Sequence, residues 1–401
     1  MSVAAPVAAE DGWHRGRTDL SSRDGMVGSL ILGATHVSDI VRAALATVVG
    51  GGSLSVAAAE SVMGAVMDGE VTPAPLAALL IALRMRTETT DELTGFVKAM
   101  RRRVVSVAAP PGAIDTCGTG GDGHHTFNVS TAAALVVAAC GVPVAKHGNR
   151  AVTSASGSSD VMDALGLVVE QGPDEAAQAL AEVGFAFLHA PAFHPGMRHA
   201  GPTRRELGVR TAFNLVGPMV NPAGVRRQLL GVADPDAAWT VAEVLRALGT
   251  ERSFVVYGDR IDELPLDGSG VILDVSSGGI ERRSVGPADS GLALAPTEAL
   301  LGGDPQRNAA IIEEVLSGRE TGPRRDAVAL NAGAALEVAG RAADLREGVG
   351  MALEAIASGA AQDQLERLRA RAGRAVAPVS SRGAAASSTE APAGDTVWTP
   401  T

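Results

Sequence analysis

Cysteine is nearly absent from this 401-residue chain, which has only Cys117 and Cys140, each inside an apolar run. Two thiols build neither a disulfide framework nor a cysteine-rich metal site. Both are expected to stay free in a reducing compartment, the cytoplasm. Aromatic residues are also scarce, at 3% of a composition that is 46% hydrophobic. The core must therefore be made of alanine, valine and leucine, which suits close-packed helices and buried parallel strands. No apolar run reaches the roughly 18 residues needed to span a bilayer, so no membrane segment is expected. An excess of positive charge is lacking too: 45 acidic residues face 34 basic ones, a net charge of −11. That balance disfavours binding to nucleic acid or to anionic lipid. Any anion site must be a local exception. Residues 1–34 lack the apolar stretch of a signal peptide and read as a disordered extension. Residues 376–401, rich in Ala, Ser, Pro and Thr, read as a disordered tail.

What the chain does have is glycine, 48 residues of it, with a dense group in the stretch Asp115 to Asp160. Ala113 to Cys117 predicts a short buried strand. The loop Gly118-Thr119-Gly120-Gly121-Asp122-Gly123 follows. A helix is expected next, with Ser130 or Thr131 as N-cap, running to Cys140 and closed by Gly141. Val142 to Ala145 predicts a second strand, and it leads into the basic run Lys146-His147-Gly148-Asn149-Arg150 and a hydroxyl-rich loop. Strand, helix and strand make one βαβ unit whose two loops share an edge. In an open α/β sheet that edge receives ligands. Glycines let backbone N–H groups approach an anion, and a helix start adds unpaired donors and partial positive charge. Lys146 adds a full charge. This chemistry suits a multiply phosphorylated small molecule, with carboxylates on a metal ion completing the neutralisation. The loop is neither a dinucleotide fingerprint, which needs a third glycine, nor a P-loop, which needs Gly-Lys-Ser/Thr. Alone, it is equally compatible with a tight turn that binds nothing.

Around this unit the pattern predicts an α/β protein: a small all-helical N-terminal domain and a larger domain with a mainly parallel sheet flanked by helices. Helical spacing occurs over Ser38–Val49, Ser55–Met67, Thr72–Met85 and Thr89–Arg103, the last opened by a capping box of Thr89 with Glu92. Arg101-Arg102-Arg103 reads as a solvated helix end. Later strands are expected at 185–189, 229–232 and 253–257, and short antiparallel strands between about 271 and 285. Helices at about 305–316, 324–339 and 344–372 close the fold.

The run GTGGDG…TFNVST…KHGNRAVTSASGS resembles the anthranilate phosphoribosyltransferase family. The likeness continues through HPGMRHAGPTRRELGVRTAFNLVGPMVNPA (194–223), Asp262-Glu263 and MDGEVTPAPLAALLIALRMRTET (67–89). It spans roughly 37–373 and implies a helical domain of 35–107 that includes a return segment of about 196–222. The implied phosphoribosyl-binding domain is 108–195 with 223–375. The implied activity is transfer of phosphoribosyl from 5-phosphoribosyl 1-pyrophosphate (PRPP) to the amino group of anthranilate, a step of tryptophan biosynthesis. The resemblance assigns PRPP to Gly118, Gly121, Asp122, Thr126, Asn128, Val129, Ser130, Thr131, Lys146, His147, Gly148, Asn149, Arg150, Ala151, Val152, Thr153, Ser154 and Ser158. It assigns anthranilate to Gly118, His147, Asn149, Arg204 and Pro218, and magnesium (Mg2+) to Ser130, Asp262 and Glu263. A homodimer is implied as well, and Arg205 is left without a definite role. No general acid or base is required, because an arylamine attacks with its own lone pair; charge stabilisation by Lys146 and placement carry the catalysis. Two other readings stay open here. One is a pyrimidine nucleoside phosphorylase of the same fold; the other is a non-catalytic nucleic-acid-binding relative.

Overall fold

The computed structural model describes residues 37–120, 123–151, 156–259 and 261–376. The expected extension, the expected tail from 377 onward, and Gly121, Asp122, Val152, Thr153 and Ser154 lie outside the described residues; Val376, expected to begin the tail, is still helical. Four helices come first: α1 (Val37–Val49), α2 (Val56–Met67), α3 (Pro73–Arg86) and α4 (Thr90–Arg101). Ser55 caps α2 by accepting from the Ala58 amide, and Thr89 with Glu92 forms the expected reciprocal capping box on α4. Glu92 is fully buried yet well used. It accepts from the amides of Leu54 and Thr89 and pairs with Arg86 at 2.5 Å.

The α/β portion opens with β1 (Ile114–Gly118), α5 (Val129–Ala139), β2 (Val144–Gly148), α6 (Ser158–Ala164), α7 (Pro173–Val183) and β3 (Phe185–His189). A helical excursion follows: α8 (Ala190–Phe193), α9 (Met197–Leu207) and α10 (Ala212–Val216). The chain then re-enters the sheet as β4 (Arg227–Gly231), α11 (Pro235–Ala247), β5 (Arg252–Tyr257), β6 (Gly270–Ser276) and β7 (Gly279–Val285). It ends with α12 (Pro305–Leu316), α13 (Pro323–Val338), α14 (Leu345–Ala357) and α15 (Ala360–Val376). The single closing helix expected over 344–372 is two helices, because Ser358 caps α14 and Gly359 adopts a φ of +86°.

The seven strands lie in the order β3-β2-β1-β4-β5-β6-β7. The first five are mutually parallel; β6 and β7 are antiparallel additions. Running outward from β1, the order goes one way to β2 and β3 and the other way to β4 and β5. The boundary between β1 and β4 is therefore a topological switch point, where the crossover helices diverge and leave a crevice. One face of the sheet packs on α5, α12, α13 and α14. The other face, with Cys117, Leu230, Val255 and Leu273, joins one apolar cluster with α11 and with Leu54, Leu83 and Phe96 of the helical unit. The N-terminal helices thus share their core with the sheet. Among the described residues no helix is long and apolar enough to cross a membrane.

Three local expectations are corrected. The second strand runs through Lys146 and His147 to Gly148, so the basic residues sit on the strand end. Helix α5 begins at Val129 after Asn128, with neither Ser130 nor Thr131 as cap. The arginine triplet is anchored as well as wetted: Arg102 stays exposed, while Arg101 and Arg103 are half-buried. Arg101 donates to the Met219 carbonyl at 2.8 Å, Arg102 meets Glu60 at 2.6 Å, and Arg103 forks onto Asp68.

Thr87, exposed at the end of α3, has φ 75° and ψ 129°, a region that costs any residue with a Cβ. Thr87→Gly should raise unfolding stability by about 1 kcal/mol. The check is a higher urea midpoint at unchanged slope; an unmoved midpoint would mean the turn is not strained.

Candidate active site

Gly118 ends β1 and Gly231 ends β4, and the two are register partners across the switch point. A Cβ on Gly118 would lie 2.4 Å from Oδ2 of Asp262, and one on Gly231 only 1.6 Å from the Asp262 carbonyl oxygen. Only hydrogens fit there, so the loop after β5 lies directly across the crevice. Its carboxylates rest on backbone donors. The Gly120 amide donates to Asp262 at 2.7 Å, and the Ser130 amide, in the first turn of α5, donates to Glu263 at 3.1 Å. Asn331 of α13 steadies the loop from below. It accepts from the Leu264 amide at 2.9 Å and donates to the Leu264 carbonyl at 3.0 Å. The glycine loop, the start of α5 and the two carboxylates therefore converge on one rim.

Lys146 reaches the same rim from β2. It is 2% exposed, and its ammonium donates to the Thr116 carbonyl at 2.6 Å and to Ser130 Oγ at 3.4 Å. Burial pulls its pKa down, against the opposing field of Asp115, Cys117 and Glu263. Asp115, fully buried, is pushed up to about 6 by desolvation, opposed by Lys146 and by hydrogen bonds. Its oxygens accept from the His147 amide at 3.2 Å and from Asn221 Nδ2 at 2.8 Å. Asn221, in the segment leading to β4, also donates to the Ala145 carbonyl at 2.8 Å.

The remaining loop residues interlock. A Cβ on Gly148 would meet Ser158 Oγ at 2.2 Å. The Asn149 carbonyl accepts from Ser158 Oγ and from the Ser159 amide. The Ala151 amide donates to Asp160 at 2.9 Å. Arg150 is exposed and pairs with Asp160 and Asp163 at 3.1 and 2.9 Å, so its charge is taken up locally. Asn128 donates to the Ser156 carbonyl and accepts from Asn308 of α12. Val129 and Thr131 are buried in the first turn of α5, and Thr126 forms an isolated bridge with Leu301.

The excursion 190–221 supplies the opposite wall. The His147 and His194 rings lie 5.1 Å apart, tilted by 50°, and the buried Nε2 of each lacks a hydrogen-bond partner among the described residues. Pro218 is buried, and its carbonyl accepts from Gln228 of β4 at 3.0 Å. Arg204 is half-buried, with its guanidinium 5.0 Å from the centre of the Phe213 ring. No carboxylate partner for it occurs among the described residues. Arg205 is exposed. Arg210 donates to the carbonyls of Thr119 and, very closely, Gly120.

Sequence reasoning missed Asp115, Asn221, Asn331 and Arg210. Only Asp115 carried a signal, a carboxylate inside an apolar strand. The others are defined by partners far away in the chain.

Burial lowers the pKa of His147 to about 3 and of His194 to about 4, with mutual repulsion adding to the first. Both stay neutral in the fold but protonate near 6.5 when unfolded, so unfolding takes up protons below that pH. Their stabilising effect is complete above pH 6.5 and is lost as pH falls towards 4 and 3. Each should cost about 2 kcal/mol at pH 5. Denaturant titrations at pH 7.5 and 5.0 should register the combined loss, and His194→Gln should remove about half of it. An equal loss in that variant would put the pH dependence elsewhere.

Comparison with known proteins agrees with this geometry. Residues 110–362 match the family model described as the glycosyl transferase family a/b domain, and residues 42–104 match its helical bundle domain. The anthranilate phosphoribosyltransferase of Rhodopseudomonas palustris (strain HaA2) is 48% identical over 328 residues, covering 82% of this chain and 97% of the relative. That of Symbiobacterium thermophilum is 49% identical over 331 residues, covering 82% and 97%. The crystal structure of the Thermus thermophilus enzyme superposes with a TM-score of 0.78 at 46% identity, over 82% of this chain and 99% of that one. The Saccharomyces cerevisiae enzyme in complex with PRPP and Mg gives 0.72 at 27% identity, over 88% and 99%. The chain belongs to the anthranilate phosphoribosyltransferase family.

Proposed function

We propose that the protein joins the amino nitrogen of anthranilate to carbon 1 of PRPP, releasing pyrophosphate and a proton. The sugar diphosphate would lie on the rim formed by Gly118, Thr126, Asn128 to Thr131, Lys146 to Ala151 and Ser158, together with Gly121, Asp122 and Val152 to Ser154. Anthranilate would sit against the return segment. Arg204 would meet its carboxylate through a planar fork, Pro218 its ring, and Gly118, His147 and Asn149 the edge facing the sugar. What carries this reading is the junction of the two walls. His147, on the strand that bears Lys146, meets His194 ring to ring at a tilt, and His194 belongs to the excursion that also bears Arg204 and Pro218. In the proposed division of the chain, residues 35–107 with 196–222 handle the aromatic acid, and 108–195 with 223–375 the sugar.

Magnesium fits the donor set, since Ser130, Asp262 and Glu263 offer only hydroxyl and carboxylate oxygens. When bound, it neutralises charge on the departing diphosphate. The chain's own contribution is positional. Lys146 brings a desolvated positive charge to the end of the leaving group, and the Gly120 and Ser130 amides hold the Asp262 and Glu263 carboxylates in place beside it. The neutral histidines hold no proton to give at physiological pH. This suits a reaction in which the nucleophile is already a free amine.

The acidic balance of the chain supports a small-molecule enzyme over a nucleic-acid-binding one, and the relatives support transfer over phosphorolysis. The free thiols Cys117 and Cys140 support a cytoplasmic setting. Val49 and Met85 expose apolar side chains on α1 and α3, 71% and 83% accessible, which supports a homodimer through the helical unit.

The direct test follows the fluorescence of anthranilate with PRPP and magnesium present and each omitted in turn. Loss of signal should require all three; loss without magnesium would reject the metal. Arg204→Ala should raise KM for anthranilate at least about tenfold and leave that for PRPP nearly unchanged. Equal rises would detach Arg204 from the aromatic acid. In sedimentation velocity, Met85→Glu should shift a wild-type dimer towards monomer. A monomeric wild type would reject the assembly.

A further inference from the structure

The peptide between Thr119 and Gly120 is held from two sides. Its N–H donates to Asp262 at 2.7 Å, and its carbonyl, that of Thr119, accepts from Arg210 Nη2 at 3.2 Å. Arg210 Nη1 donates to the next carbonyl, that of Gly120. The Thr119 amide is held in turn by the Gly231 carbonyl at 2.9 Å. A peptide is planar, so fixing its carbonyl on one side fixes where its N–H points on the other. Gly120, with φ +63°, has no side chain to limit its rotation. The loop's orientation therefore depends on these outside partners, and Arg210 is the cationic one.

Arg210 belongs to neither βα unit. It lies between α9 and α10, in the excursion that bears Arg204 and Pro218. It is half-buried, and its fork spans two adjacent carbonyls, a geometry that a lysine ammonium cannot copy. Two carbonyl oxygens turned towards a diphosphate would repel it. Arg210 takes up both oxygens and sets a positive charge against them.

We infer that Arg210 is a positioning residue for the sugar diphosphate: it straps the glycine loop from the aromatic-acid wall and so keeps the Gly120 N–H on Asp262, one of the carboxylates read as holding the metal of the diphosphate. This rests on the reading of that rim as the PRPP site. It also makes the diphosphate loop answerable to the segment that carries the second substrate's residues.

Calorimetric titration of the full-length protein with magnesium pyrophosphate separates the two layers. Wild type should bind it. Arg210→Gln should bind about tenfold more weakly and show a matching rise in KM for PRPP, with KM for anthranilate within about twofold and the melting temperature unchanged. Arg210→Lys should recover less than half of the loss, because one ammonium cannot serve both carbonyls. Unaltered pyrophosphate binding in Arg210→Gln would overturn the inference and leave the site standing. So would full recovery by lysine, or equal rises in both KM values with a fall in melting temperature. A wild type that ignores magnesium pyrophosphate would remove the site and the inference together.

Discussion

A buried ammonium and a buried carboxylate share the end of the sheet, and the site is arranged around the cost of keeping them there. Charges withdrawn from water are tolerated only when their hydrogen-bonding capacity is met. Lys146 meets that demand through the Thr116 carbonyl and Ser130 Oγ, and Asp115 through the His147 amide and Asn221. Every one of those partners lies on an element that also contributes to the cleft. Satisfying the pair therefore aligns β1, β2, the start of α5 and the return segment with one another. It also leaves a positive charge dry and directed, so it acts on a polyanion with little screening.

Much of this was legible in the chain. The fold class followed from the alternation of short apolar runs with helical spacing, and the glycine loop and KHGNR run lie on the same sheet edge as expected. Strand ends were less legible. Lys146 and His147 look like loop residues because they are polar. They remain in β2 because Phe187 and Leu188 of β3 pair with them, and because Asp115 receives the His147 amide. The break between α14 and α15 was hidden for the converse reason: a lone glycine in an otherwise helical pattern is weak punctuation.

The supports of the site were not legible. Asn331 is one polar residue in an alanine-rich helix, and nothing local marks it as the clamp on the Asp262–Glu263 loop. Asn221 follows an apolar run and reads as a turn residue. Such residues act through contacts that exist only once distant segments meet. The helical unit also surprised in one respect, since its apolar residues join those of the sheet in one cluster. The wall that bears Arg204 is thus built on the same core as the strands that bear the glycine loop.

The loop after β5 also constrains two strands to which it does not belong. Position 118 faces its carboxylate and position 231 its main chain, at separations that admit no side chain. The two glycines are therefore not independent choices. Neither can drift to alanine while Asp262 stays where it is, and a change at Asp262 would spare 118 but not 231, because a backbone carbonyl cannot be mutated away.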